Sequence, residues 1–210
     1  RDRSKDPALL VEQGIAACKD SGYQEMTLSS LSTSDYRLLE RLCDGLLEWC
    51  EPNLVSMSLP SLRADNFSMG LMERLQHVRK SGLTFAPEAG TQRLRDAINK
   101  NVTEADLMKS CRTAFSGGWN SVKLYFMLGL PTETDEDVLG IAELAKKVLQ
   151  LWRETAPDKR RGCRITVSTA CFVPKPHTAF QWEPQVTREE YLRRVKLLRD
   201  NMRDKSIVYH

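Results

Sequence analysis

Five polar loops carry the residues in this sequence that could do chemistry together. They are Ser29 to Tyr36, Pro60 to Asp65, Pro87 to Thr91, Gly129 to Thr134 and Pro174 to His177. Each is rich in hydroxyls, carboxylates and bend-forming residues, a set that can surround a polar small molecule with hydrogen-bond donors and acceptors. The same residue types also form turns and cap helices, so a single loop says little, and five at one end of a sheet say more. Cysteine chemistry is not indicated. The six cysteines at 18, 43, 50, 111, 163 and 171 lack the close pairings of zinc sites and disulfide frameworks and read as reduced thiols. Cys18, Cys43 and Cys111 fall in helical patterns as small core residues. With only His77, His177 and His210 besides, no metal constellation is expected within these residues.

The loops need elements to hold them, and the chain alternates short apolar runs with longer segments of helical period, the pattern of repeated βα units. Asp6-Pro7 opens a helix that closes near Ser21-Gly22. Glu25 to Leu28 reads as a strand, and Leu38, Leu39, Leu42, Leu46 and Leu47 form one face of a helix. Leu54 to Leu59 is the next strand, Met69, Met72, Leu75 and Val78 a helical stripe, and Leu83 to Ala86 a third strand. A short helix around Leu94 and Ile98 precedes one capped by Thr103. Val122 to Leu128 is a near-continuous apolar strand broken by Lys123, as expected when both faces are covered. Thr134 and three acidic residues open a long helix with Val138, Ile141, Leu144, Val148 and Leu151 inward. Ile165 to Val173 is the last expected strand, and Thr187 with Glu190 forms a capping-box signature before the final helix. This gives about five strands and six helices, with ligands expected at the carboxyl ends of the strands.

The 210 residues suffice for one core, and 31 basic against 28 acidic residues leave a net charge of only +3, so no global field points to nucleic acid. The basic run Lys159-Arg160-Arg161 reads as a solvated loop. No apolar run reaches the roughly eighteen residues of a membrane span, so a cytoplasmic protein with no membrane partner is expected. The polar start at Arg1 suggests a fragment truncated at its N-terminus, with the strand before the first helix missing.

Phe85 to Arg95, followed by Ile98-Asn99-Lys100, resembles the fourth-strand Glu-x-Gly segment of radical S-adenosylmethionine enzymes, in the group that includes tRNA methylthiotransferases and the Elongator catalytic subunit. Met127 to Asp137 resembles the fifth-strand Gly-hydrophobic-Pro-Gly-Glu-Thr segment of the same family. Leu28 to Tyr36 and Ser58 to Arg63 look similar to an uncharacterised subfamily whose members often carry a cobalamin-binding-type domain ahead of the barrel. The resemblance implies an α/β fold, a partial TIM-barrel-like core of six βα units, with residues 1–210 as one domain lacking the first strand and cluster loop. It further implies a [4Fe–4S] cluster on a Cys-x3-Cys-x2-Cys loop upstream, chelated by S-adenosylmethionine, whose reductive cleavage yields a 5′-deoxyadenosyl radical. The fragment alone is then expected to be inactive.

Carried over residue by residue, the resemblance gives Ser29, Ser30 and Ser32 to the methionyl amino group and Glu88 to the ribose. Arg93 either reaches the methionyl carboxylate or faces solvent. Gly129 and Pro131 support adenine at a turn where a missing side chain allows close approach. Glu133 orients that loop or caps the following helix, and Thr132 stands where the family often has glycine. Cys171 and Phe172 lie near the adenine or in the barrel core. No catalytic residue is assigned. Methylthiolation, methylation and rearrangement are all compatible with the family, RNA is one candidate substrate, and flanking domains of the full-length chain are expected partners. Two other readings exist: a cluster-free lyase or isomerase using Glu88 as general base near Lys123, and a non-catalytic RNA-binding or scaffold module.

Overall fold

The computed structural model describes residues 4–28, 36–58 and 83–210. Ser29, Ser30, Ser32 and the expected methionine-striped helix therefore lie outside the described residues. The chain forms two compact units, Arg1–Leu83 and Thr84–His210.

In the first unit, Asp6 caps helix α1 (Pro7–Ser21) by accepting from the Ala8 amide, and Gly22 ends it at φ 72. Strand β1 (Glu25–Thr27) pairs in parallel with β2 (Ser56–Ser58), Met26 opposite Met57. Helix α2 (Leu39–Cys50) buries Leu39, Leu42, Cys43, Leu46, Leu47 and Cys50, while Leu38, expected on that face, is the exposed cap position. Close packing of α1 is fixed by small residues: Gly14 lies against Met26 and Leu46, and Gly45 against Val11.

The second unit is built on a four-stranded sheet of order β3 (Leu83–Glu88), β4 (Ser121–Leu128), β5 (Arg164–Cys171) and β6 (Ile207–Tyr209). β4 pairs with β5 in parallel from Ser121 opposite Arg164 to Leu128 opposite Cys171, and β5 pairs with β6 likewise. β6 was not expected from the sequence, because three residues are too short to show a period. No closed barrel forms among the described residues.

β4 also departs from expectation. Val122, Leu124, Phe126 and Leu128 are buried, but Lys123, Tyr125 and Met127 alternate with them on a less covered face, where Tyr125 is 39% exposed. The apolar Tyr125 and Met127 hid this alternation.

Helices α3 (Gln92–Ala97), α4 (Glu104–Ser116), α5 (Asp135–Thr155) and α6 (Arg188–Asn201) complete the unit, α5 packing against both α4 and α6. Full capping boxes start α4, between Thr103 and Asp106, and α5, between Thr134 and Asp137. At α6 only half of the expected box exists. Thr187 accepts from the Glu190 amide, but the Glu190 carboxylate binds Arg193 and Arg194 instead. No described helix is long and apolar enough to cross a membrane.

Candidate functional site

Parallel strands bring their carboxyl ends to one edge, and there the segments after β3, β4 and β5 meet. Ala89, Leu94, Leu130 and Phe172 form a buried cluster, joined by Ile98, Met127 and Phe180. Phe180 packs edge-on against Phe172, ring centroids 6.2 Å apart. The Phe172 amide donates to the Leu128 carbonyl at 2.8 Å, extending the β4–β5 ladder to the site edge.

Glu88, the last residue of β3, takes a left-handed φ of 69. A side chain with a Cβ pays for that conformation, and such strain persists only where the surroundings fix it. The surroundings here are specific. Arg95, buried on α3, donates to the Ala89 carbonyl at 2.9 Å and the Gly90 carbonyl at 3.4 Å. Gly90 lies so close to α5 that a Cβ would enter the Asp137 carbonyl oxygen and the Ile141 amide, while Gly140 faces Thr91 in return. The Glu88 carboxylate itself is 27% exposed, 3.4 Å from the Lys100 ammonium.

The second loop is held as firmly. Gly129 adopts φ 84, and a Cβ there would lie 2.6 Å from Val186 Cγ2. A bulkier residue at 129 would strike Val186 before it reached any ligand. The Gly129 amide donates to Glu133 Oε2 at 2.7 Å, and Arg194 pairs with the same oxygen. The Glu133 carboxylate is 1% exposed; burial pushes its pKa above the ordinary value, while the Gly129 amide and Arg194 pull it down. Of the two roles expected for Glu133, the structure shows the first: Thr134 and Asp137 cap α5, and Glu133 orients the loop.

Asp137 joins the two loops. Its buried carboxylate accepts from the Thr91 hydroxyl, from Arg93, and from the Thr134 amide at 2.8 Å and hydroxyl at 2.9 Å. Burial raises its pKa, but hydrogen bonds from Thr91, the Thr134 amide, Arg93 and the Thr134 hydroxyl prevail and hold it below the ordinary carboxylate range. Arg93 also donates to the Thr132 carbonyl at 2.9 Å. Thr132 has φ 67, so this position keeps a glycine-like backbone without being glycine.

Sequence reasoning thus located Glu88, Gly129 and Pro131 on two loops that the structure brings together, with Arg93 on the helix that follows the first. It missed the residues that lock them, namely Arg95, Lys100, Asp137, Val186 and Arg194. Lys123 does not serve as the expected neighbour of Glu88. It is the third residue of β4, its ammonium 4.5 Å from the Tyr125 ring, and about five strand residues, some 16 Å, separate it from the carboxyl end. Among the described residues no group of three His, Cys, Asp or Glu side chains could hold a metal ion.

The family model of the radical SAM superfamily matches residues 1–145. The chain belongs to the radical SAM superfamily. An uncharacterized protein of Methanocaldococcus jannaschii is 36% identical over 178 residues, covering 85% of this chain and 36% of that protein. The chain therefore spans about a third of that relative's length. Among solved structures, Methanocaldococcus infernus Elp3 with an N-terminal deletion matches at TM-score 0.63 and 12% identity, covering 98% of this chain and 52% of that one. Streptococcus suis SuiB bound to its precursor peptide SuiA also matches at TM-score 0.63, with 11% identity, over 100% of this chain and 43% of its own. These likenesses show the fold: an α/β core with parallel strands, similar to the TIM-barrel-like radical SAM enzymes.

Proposed function

We propose that this chain holds S-adenosylmethionine at the joined β3 and β4 loops for reductive cleavage by a [4Fe–4S] cluster whose cysteine ligands lie upstream of residue 1. The carrying observation is Glu88: a half-buried carboxylate on a strained, left-handed residue at the carboxyl end of β3, the strand next to β4, whose Gly129 turn has its amide held by Glu133. A carboxylate there suits the two ribose hydroxyls, which need paired acceptors. The backbone around Gly129 and Pro131 offers an adenine edge a polar rim, and the buried cluster of Ala89, Leu130 and Phe172 supports the loops that carry it. This donor and acceptor set fits the cofactor.

The family resemblance gives Ser29, Ser30 and Ser32, outside the described residues, as acceptors for the methionyl ammonium. Arg93 holds Thr132 and Asp137 through Nη2 and, with its side chain 53% exposed, remains the candidate for the methionyl carboxylate. When bound, the cofactor and cluster would supply the chemistry of hydrogen abstraction from substrate. The protein's share is to bind, orient and exclude water around it. A cobalamin-binding-type domain ahead of the barrel belongs to the same reading of the longer protein.

Anaerobic reconstitution of a protein extended to include the upstream segment tests this. The expected result is absorption near 400 nm, roughly where such clusters absorb, and release of methionine and 5′-deoxyadenosine on reduction. An extended chain with neither a cysteine triplet nor a cluster would overturn the proposal.

A further inference from the structure

The loop that carries Gly129 is fixed from α6, some sixty residues downstream. Val186, just before the α6 cap, presses its γ-carbons on the space where Gly129 lacks a Cβ. About two turns into the helix, Arg194 reaches Glu133 with its Nη1 and Glu190 Oε1 with its Nε at 2.7 Å. Glu190 is in turn held by Arg193 at 2.7 Å, and Arg193 grips Asp135 at 2.6 and 2.9 Å. A ladder of charges therefore runs from the first turn of α5 to the Gly129 amide.

Glu133 is the link that needs explaining. It directly precedes the α5 cap residue, yet the cap is completed by Thr134 and Asp137 without it. Its carboxylate serves the Gly129 amide alone among backbone groups, at 1% exposure. A buried carboxylate without a cation would take up a proton or turn to solvent, and either change weakens its hold on Gly129. The cation is Arg194, itself only 12% exposed.

We propose that Arg194 is a positioning residue for the cofactor: through buried Glu133 it fixes the Gly129 amide, and with it the turn that receives adenine. The inference rests on the cofactor reading above. It concerns no contact between Arg194 and the cofactor.

The test compares Arg194→Met, and the pair Arg194→Met with Glu133→Gln, against the parent in the cluster-loaded extended protein. S-adenosylmethionine affinity is measured calorimetrically, and the Gly129 amide is followed by hydrogen exchange with nitrogen-15 glycine labelling. Arg194→Met is expected to weaken binding about tenfold, the effect of losing one charge-assisted hydrogen bond, and to speed Gly129 exchange. The pair is expected to recover both, because a glutamine oxygen accepts from Gly129 without a charge to bury. Should the single variant not fold, parent-like binding by the pair is still the expected result, and a folded pair that binds weakly overturns the inference. Parent-like affinity in a folded Arg194→Met also overturns it, even with a lowered melting temperature. A parent that binds no S-adenosylmethionine removes the cofactor reading itself, whereas a binding parent with an unaffected variant removes only the role of Arg194.

Discussion

Arg93 donates to the carbonyl of Thr132 at 2.9 Å, holding a β-branched residue in the left-handed region at φ 67. Such a backbone costs an ordinary residue about 1–2 kcal/mol, and glycine escapes that cost but loses more chain entropy. Thr132→Gly is therefore expected to raise stability by about 0.5–1 kcal/mol, some 2 °C in a chain of this size. Thermal unfolding followed by circular dichroism checks it, and a lowered midpoint would mean that the weak Thr132 hydroxyl contact with Arg93 matters more than the strain.

Gly90 and Gly140 let the β3 loop lie on the α5 backbone. Gly90→Ala should destabilise by about 3 kcal/mol, since the obstructing atoms are main chain and cannot turn aside. Gly22→Ala is the control: nothing lies within 4 Å of its added carbon, so only the positive φ is charged, about 1 kcal/mol. Urea titration of both variants should give that order, and equal losses would show that the Gly90 contact yields.

Asp137 makes the joined loops sensitive to acid. Its folded pKa lies below the unfolded value of about 3.9, so its stabilisation is complete above that value and fades as pH falls through it toward the folded pKa. Asp137→Asn should lower stability by about 2 kcal/mol at pH 7 and flatten the loss below about pH 4. Denaturant midpoints from pH 3 to 7 would reveal a variant that runs parallel to the parent, the outcome that contradicts this.

Arg95 should tolerate little change. It is buried, and its donors serve the Ala89 and Gly90 carbonyls and the Gln92 side chain. Arg95→Met would leave those carbonyls without that partner and is expected to cost about 2 kcal/mol, with Arg95→Lys falling between. Equal stability of the methionine variant would show that water replaces the guanidinium.

Local signals were legible and distant ones were not. Asp6, Thr103 and Thr134 announced their helices because a cap and its partner lie within four residues. The residues of the two loops were legible through the family's strand-end segments. Asp137 read only as an acidic first-turn residue, because Thr91 stands 46 residues away, and Arg194 is 61 residues from Glu133. No period or spacing encodes such pairings. Tyr125 and Met127 misled for another reason: apolar residues on the less covered face of β4 imitate a strand buried on both sides.

The central claim is that Glu88 and the Gly129 turn form the cofactor site, and the most direct test is calorimetric titration of S-adenosylmethionine into the cluster-loaded extended protein with Glu88 as parent, Glu88→Gln and Glu88→Ala. Removing charge-assisted bonds to two ribose hydroxyls should weaken binding roughly ten- to a hundredfold for alanine and less for glutamine, at equal cluster content. Parent-like affinity in both variants would contradict the account and remove Glu88 from the site.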